Sequence, residues 1–445
     1  MGRLAAKGPD IQYHLIDGGP MTHDFGFIPI QPSSFLDEDA FTAITGDYIR
    51  ALEAMGGERW AANPIPENKS QLVLLVATGG TEEVILEVWA ERQRSAAGEP
   101  LFLIAHPGNN SLPSALEVLA RLQQDGAQGR IFYLNGPDDA TGLREIADAL
   151  HDIEVRREMQ RARIGLVGPP SDWLVASSPD PATVRDAWGP TVVPVEMEEV
   201  VKTRESISNA DLEPHVDAFV AGAAEVCEPT SSELGEVARV YLALKKVVAT
   251  SKLDALTVRC FDFVQHQQTT GCFALAQLTE EGVVAGCEGD LVSTVGLLWV
   301  QKLLGVTPWM ANPAQLDSAN NTLWLAHCTV PRTLVESYRL RSHFESGMGV
   351  GIQGILPTGP VTVLRIGGKK MNRLWLAEGE ILRTGKAENL CRTQVEIHLT
   401  GGGTVADLLR APLGNHLVLV FGHHLRRLQS WYEGADWQDS HKMVG

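Results

Sequence analysis

No apolar run in this chain approaches the roughly 20 residues that a membrane-crossing helix requires. The opening Met1-Gly2-Arg3-Leu4-Ala5-Ala6-Lys7 leads straight into polar sequence, without the apolar centre of a secretory signal, so a cytoplasmic location is expected. Lysine and arginine form no runs. With 37 basic against 55 acidic residues the formal net charge is −18, so neither nucleic acid nor an anionic membrane is an expected partner. Cys-x-x-Cys spacing is absent as well. The six cysteines, Cys227, Cys260, Cys272, Cys287, Cys328 and Cys391, are scattered and sit mostly in apolar stretches, which favours buried free thiols over disulfides or zinc. The segment Thr78-Gly79-Gly80-Thr81-Glu82 lacks the lysine of a phosphate-binding P-loop. It reads as a tight turn between a strand and a helix, whose N–H groups could alternatively meet an anion. No internal repeat or low-complexity tract is present.

What remains is a chain of 445 residues, 44% of them hydrophobic, enough for the cores of two to four domains. From Gln71 apolar strands alternate with helical segments: 72–76, a helix after Thr81, 101–104, a helix from 113 to about 124, 131–133, then a long helix to about 162. That alternation is the pattern of a doubly wound α/β domain, expected over residues 1–160. A second such unit, 161–305, opens on Arg163-Ile164-Gly165-Leu166-Val167-Gly168 and a proline-rich turn, and closes with a helix over 291–304. From 306 to 445 strand follows strand with few helices, which predicts an antiparallel β-barrel-like domain. The expected fold is therefore two Rossmann-like domains followed by a β-barrel.

Acids, an amide and imidazoles recur where these elements end. Gly286-Cys287-Glu288-Gly289-Asp290 lies just past a strand and just before a helix, the position at which open parallel sheets bind ligands. Glu288 can be a cation ligand and a base, or an acid that complements the helix dipole. Asp290 can cap the helix or act catalytically. Asn312 stands before Pro313 and is held extended; its amide oxygen suits a hard cation, but an Asn-Pro turn reads equally well. His416, opening the apolar Leu417-Val418-Leu419-Val420-Phe421, is a ligand or a hydrogen-bonded core residue. His327, His343, Asp262 and His266 are candidates for lining a substrate pocket. Ala105 to Ser111, at another strand end, can face the same cleft. Arg332, Arg339, Arg341, Arg365, Lys369 and Lys370 could meet an acidic substrate, although solvated strand edges account for them as well.

Together Glu288, Asn312, His327 and His416 resemble the L-fucose isomerase and L-arabinose isomerase superfamily of metal-dependent aldose–ketose isomerases, most clearly from about Asp254 onward. In such enzymes a Cys-Glu-x-Asp or Gly-Glu-Gly-Asp turn carries a glutamate ligand, matched here by Glu288. L-Fucose isomerase-like members have an aspartate ligand 24 positions later, where this chain has Asn312. A late Gly-x-His strand supplies a histidine, matched by His416, and His327 matches a further histidine of the L-arabinose branch. The resemblance implies Mn²⁺, or another divalent cation such as Mg²⁺ or Co²⁺, held by Glu288, Asn312 and His416. It also implies a homo-oligomer, trimeric or hexameric, in which 78–82 and 106–111 reach a neighbour's cleft.

The expected activity is interconversion of an aldose and a ketose through an ene-diolate, with Glu288 as base and a sugar or sugar acid as substrate. Asn312 cannot carry a proton, so Asp290, Asp317 or a metal-bound water would take that role. The same substitution leaves open epimerisation or carbon–carbon cleavage through the same ene-diolate, and a catalytically idle sugar-binding protein is the third alternative.

Overall fold

The computed structural model describes residues 24–32, 37–67, 70–434 and the backbone of 442–444; the opening segment read above for a signal lies outside them. The chain packs as two compact units, 14–154 and 155–445. In the first, strands β1 (Phe25–Ile30), β2 (Gly57–Arg59), β3 (Gln71–Val76), β4 (Leu101–Ala105) and β5 (Gly129–Tyr133) form one parallel sheet in the order β2-β1-β3-β4-β5. Its helices are α1 (Glu38–Ala54), α2 (Glu82–Ser95), α3 (Ser111–Gln124) and most of α4 (Ala140–Arg161). β3 is buried at all six positions, as a strand covered on both faces must be, which is why it reads as an unbroken apolar run. β1 and α1 precede the first strand the sequence announces. Phe25-Gly26-Phe27-Ile28-Pro29-Ile30 carries a glycine and a proline that weaken a strand signal. Its pairing with β3 supplies what the local pattern does not. At the sheet's C-terminal edge, the Gly79 N–H donates to the Asn109 carbonyl at 2.8 Å, tying the turn after β3 to the loop after β4.

The second unit begins with β6 (Arg163–Val167), β7 (Thr191–Val195), β8 (Glu225–Val226), β9 (Ala255–Val258) and β10 (Val284–Cys287). Four of these form a parallel sheet in the order β10-β9-β6-β7. The helices between them are α5 (Pro181–Trp188), α6 (Met197–Glu205), α7 (Glu213–Ala221), α8 (Ser231–Ser251), α9 (Phe261–Gln267) and α10 (Cys272–Glu280), followed by α11 (Leu291–Leu304). Then come β11 (Trp309–Asp317), β12 (Thr322–His327), β13 (Ser337–Arg341), β14 (Gly351–Ile355), β15 (Gly359–Gly367), β16 (Arg373–Thr384), β17 (Thr393–Gly402) and β18 (Leu417–Phe421). Six of them pair antiparallel in the cycle β15-β18-β11-β12-β17-β16 and back to β15, a closed barrel with no free edge. The expected class, two parallel α/β sheets followed by an antiparallel barrel, is the observed one. β13, β14 and β8 make a separate small sheet. β13 stops at Arg341, and His343 falls in the following turn, its carbonyl accepting from Gly347 N at 2.8 Å.

Helix α11 joins sheet to barrel. Twelve of its fourteen residues are buried, because one side packs on β9 and β10 and another on β15 and β18. A helix apolar all round has to be enclosed in this way. Trp299 on α11 meets Trp188 of α5 and Trp431, each at 5.2 Å between ring centroids, and the Trp188 indole donates to the Met371 carbonyl at 2.9 Å. Trp299→Ala is expected to lower the unfolding free energy by about 3–5 kcal/mol, read from denaturant midpoints. A loss below about 1 kcal/mol would mean that this junction does not hold sheet and barrel together.

Candidate functional site

Strands β6, β9 and β10 end side by side, and the chain leaving each contributes to one place. After Cys287 the backbone turns left-handed at Glu288 (φ 63°) and Gly289 (φ 74°) before Asp290 caps α11. For a non-glycine residue this conformation costs on the order of 1–2 kcal/mol. Surrounding contacts hold it: Ser171 N–H donates to the Glu288 carbonyl at 2.8 Å, and Gly289 N–H donates to the Val258 carbonyl at 3.0 Å. A side chain at Gly289 would lie 2.7 Å from Pro170 Cα, so the loop after β6 leaves room only for glycine. The Glu288 carboxylate is thereby aimed by two neighbouring strand ends.

Asp290 is fully buried and makes four bonds. Its Oδ1 accepts the Ser293 N–H at 2.8 Å; its Oδ2 accepts the Ser293 hydroxyl at 2.8 Å, faces Arg365 Nη1 at 3.2 Å and lies 2.9 Å from His416 Nδ1. Burial by itself would raise the acid's pKa, but the Arg365 charge and the His416 hydrogen bond outweigh it and hold the group far below the usual carboxylate range. An ionised Asp290 can only accept, so His416 Nδ1 donates to it and Nε2 is turned to the other side of the ring. That Nε2 is buried, has no hydrogen-bond partner among the described residues, and stands 3.8 Å from Glu288 Oε1. Glu288 Oε2 accepts the Trp173 indole N–H at 2.6 Å.

A buried imidazole nitrogen opposite a carboxylate, with the other ring nitrogen donating to a second carboxylate, is an arrangement that fits a divalent cation. Asn312 joins it through barrel register. Ala311 pairs with Leu417 of β18, which places Asn312 and His416 each one residue beyond that pair, while Asn312 itself pairs with Ala326 of β12. Among the described residues no three His, Cys, Asp or Glu side chains gather as a ready-made cation site. Glu288, Asn312 and His416 include only two of those types, the third donor being an amide oxygen.

His327 is buried, with its ring 5.6 Å from that of His416 and its Nδ1 2.8 Å from the Thr329 hydroxyl. Phe261 links two further groups, packing edge-on to Trp173 at 5.0 Å and to His343 at 5.8 Å. Asp262 is taken by an ion pair with Arg259 at 3.0 Å, and His266 is exposed on the last turn of α9. Five cysteines gather nearby: the Cys260 and Cys287 sulfurs are 3.0 Å apart, and Cys328 hydrogen-bonds with Cys272 and Cys391; all are free thiols. Cys227 is exposed, unlike the buried thiols expected of the set. Arg365, read above as one of several edge cations, is instead buried in β15, while Arg332, Arg339 and Arg341 pair with Glu280, Glu225 and Glu228. An open hollow of about 590 Å³ lined by Arg204, Glu236 and Arg239 shares no residue with this place, and its charges pair with one another.

The sequence reading missed Trp173 and Ser177, and gave Arg365 only as a substrate-facing or strand-edge cation. The proline-rich turn after β6 was a signal for the first two, since strand ends of parallel sheets carry function. For Arg365 the signal was an arginine inside the otherwise apolar Val361-Thr362-Val363-Leu364-Arg365-Ile366.

Burial, with some help from neighbouring His416, pushes the His327 pKa down to about 3. An unfolded chain binds a proton near pH 6.5, so between about 6.5 and 3 only the unfolded state is protonated there, and stability falls as pH falls through that window. In metal-free protein, the unfolding free energy of the wild type should drop by up to about 2 kcal/mol more than that of His327→Gln between pH 7 and 5.5 to 5. Parallel pH curves for the two proteins would show that His327 is protonated in the fold.

No family model matches the chain. It is 23% identical over 344 residues to the sulfoquinovose isomerases of Priestia aryabhattai and Priestia megaterium (strain ATCC 12872 / QMB1551), across 75% of this chain and 75% of each relative. It is 21% identical over 340 residues to the sulfoquinovose isomerase of Alkalicoccus urumqiensis, with the same coverage. These distant relatives are sugar isomerases by name, the class of enzyme that the resemblance to L-fucose isomerases implies.

Proposed function

We propose that this chain is a divalent-cation-dependent aldose–ketose isomerase whose substrate is a sugar bearing an acidic group, with Glu288, Asn312 and His416 as the cation's ligands. One observation carries the reading: the unpartnered His416 Nε2, fully buried, faces Glu288 Oε1 across 3.8 Å. The names of the relatives support the reaction class and a sulfo-substituted sugar. A bound Mn²⁺, Mg²⁺ or Co²⁺ would act as a Lewis acid on the sugar carbonyl.

The chain's own residues account for the rest. Glu288, held at Oε2 by the Trp173 indole, removes the proton from the carbon beside the carbonyl. Asp290 is unavailable as a second acid or base, since both oxygens are engaged by Ser293, His416 and Arg365. Asp317 is unavailable too: it caps the β11–β12 turn, and five residues of strand put it on the order of 16 Å from Asn312. With neither aspartate available, Glu288 itself, or a water on the cation, would return the proton to the neighbouring carbon. His327, neutral and buried, offers its second ring nitrogen to a sugar hydroxyl, and Trp173, Phe261 and His343 form the wall beside it. Assembly into a trimer or hexamer belongs to the same proposal, and sedimentation at micromolar concentration tests it; a fully active monomer would refute it.

Chelator-treated protein should lose isomerase activity and regain it with Mn²⁺, and Glu288→Gln and His416→Ala should each lose bound Mn²⁺ while remaining folded. Full activity after exhaustive metal removal would end the cation assignment. With a sugar deuterated beside the carbonyl, a single-base enzyme should deliver part of the label to the adjacent carbon of the product, as read by NMR; complete washout into solvent would argue for two separate bases.

Asn312→Asp tests the substrate's charge. The added carboxylate should tighten Mn²⁺ and raise KM for an acidic sugar more than for its neutral counterpart. Equal changes in KM for the two sugars would count against an anionic substrate.

A further inference from the structure

We propose that Arg365 is the positioning residue that sets both sides of this centre at once. The proposal rests on the reading of Glu288 and His416 as ligands, and concerns how they are held. Arg365 lies in β15 with its side chain 1% exposed. From one guanidinium two arms leave. Nη1 bonds the Ser293 hydroxyl and faces Asp290 Oδ2 at 3.2 Å, and the same Oδ2 holds His416 Nδ1. Nη2 donates to the Ser177 hydroxyl at 2.6 Å. Ser177 N–H donates to the Leu174 carbonyl and Leu174 N–H to the Ser171 carbonyl, so this arm fixes the turn from which Trp173 reaches Glu288 Oε2. The two arms close on the 3.8 Å space between Glu288 Oε1 and His416 Nε2.

Two features distinguish this from a merely structural ion pair. The guanidinium fills the space beside Gly414, where a Cβ would stand 2.7 Å from Arg365 Cζ, so the segment leading into His416 is shaped around the arginine. A buried ion pair also contributes little net stability compared with apolar residues of the same volume, so stability alone does not call for one here. What the pair supplies is direction: one arm holds the Asp290 carboxylate against His416 Nδ1 and so fixes the ring's orientation, while the second arm keeps the Trp173 turn in place.

The experiment compares wild type with Arg365→Met, Arg365→Lys and Ser177→Ala. Three readouts are used: Co²⁺ affinity by calorimetry, the His416 tautomer in metal-free ¹⁵N-imidazole spectra assigned by difference from His416→Gln, and hydrogen exchange over residues 169–178. Arg365→Met should weaken Co²⁺ binding by about 10–100-fold, give mixed tautomers and speed exchange over 169–178. Ser177→Ala should speed that exchange and leave the tautomer unchanged. Arg365→Lys keeps the charge but not the two-armed reach, so it should retain the tautomer and lose the loop's protection; this variant carries the test if the methionine protein does not fold. Wild-type tautomer and wild-type exchange in the folded arginine variants would overturn the proposal. If wild type binds no Co²⁺ while tautomer and exchange respond as stated, the positioning role stands and the cation reading falls.

Discussion

Asp290 and Arg365 face each other at 3.2 Å with side-chain exposures of 0% and 1%, and the candidate centre is arranged around that pair. Taking two charges out of water costs several kcal/mol per ion, a cost recovered only when other polar atoms surround both. Here Ser177, Ser293 and His416 provide them. The same aspartate caps α11, the helix enclosed between the parallel sheet and the barrel, so its place is dictated by apolar packing on either side. The acid cannot drift without disturbing the helix, and the imidazole cannot turn without losing the acid. Core packing is in this way transmitted to the direction of one ring nitrogen.

The two halves of the fold contribute different things. Parallel strands end together, and the loops after β6 and β10 deliver Trp173 and Glu288 to one point. The antiparallel barrel works by register: β11 and β18 lie far apart in the chain, yet Ala311 and Leu417, the residues next to Asn312 and His416, are paired. Left-handed backbone at Glu288 is the local strain this requires, kept in place by Ser171, Val258 and Pro170.

Much of this is legible in the residues alone. Alternating strands and helices point to the two parallel sheets, the run of strands after 306 points to the barrel, and Glu288, Asn312 and His416 stand out by motif and spacing; the fold brings Glu288 and His416 within reach of one another. Short elements with glycine or proline, such as β1, are illegible because only their pairing makes them strands. The partner of Arg365 is illegible for a related reason. A lone arginine in a strand looks like an edge residue until the aspartate that neutralises it, 75 positions away, is folded against it. His266 shows the reverse failure: proximity to a strand end in sequence does not fix which way a helix turns its residues, and the ring is exposed.

Asn312 ties the chemistry to the charge of the substrate. In the proposed reading a divalent cation with one carboxylate, one neutral imidazole and one amide carries a net charge near +1, where an aspartate at that position would bring it to zero. At about 7 Å and an effective dielectric near 20, one unit of charge is worth about 2 kcal/mol toward an anion, some thirtyfold in affinity. In the same reading the amide carries no proton, which leaves the transfer to Glu288 or to a water on the cation. A residual positive charge suits a sugar with an acidic group, while Arg332, Arg339, Arg341 and Arg365 are each paired with a carboxylate. Under the proposed function, an amide at Asn312 is then the means by which the site would favour an anionic sugar.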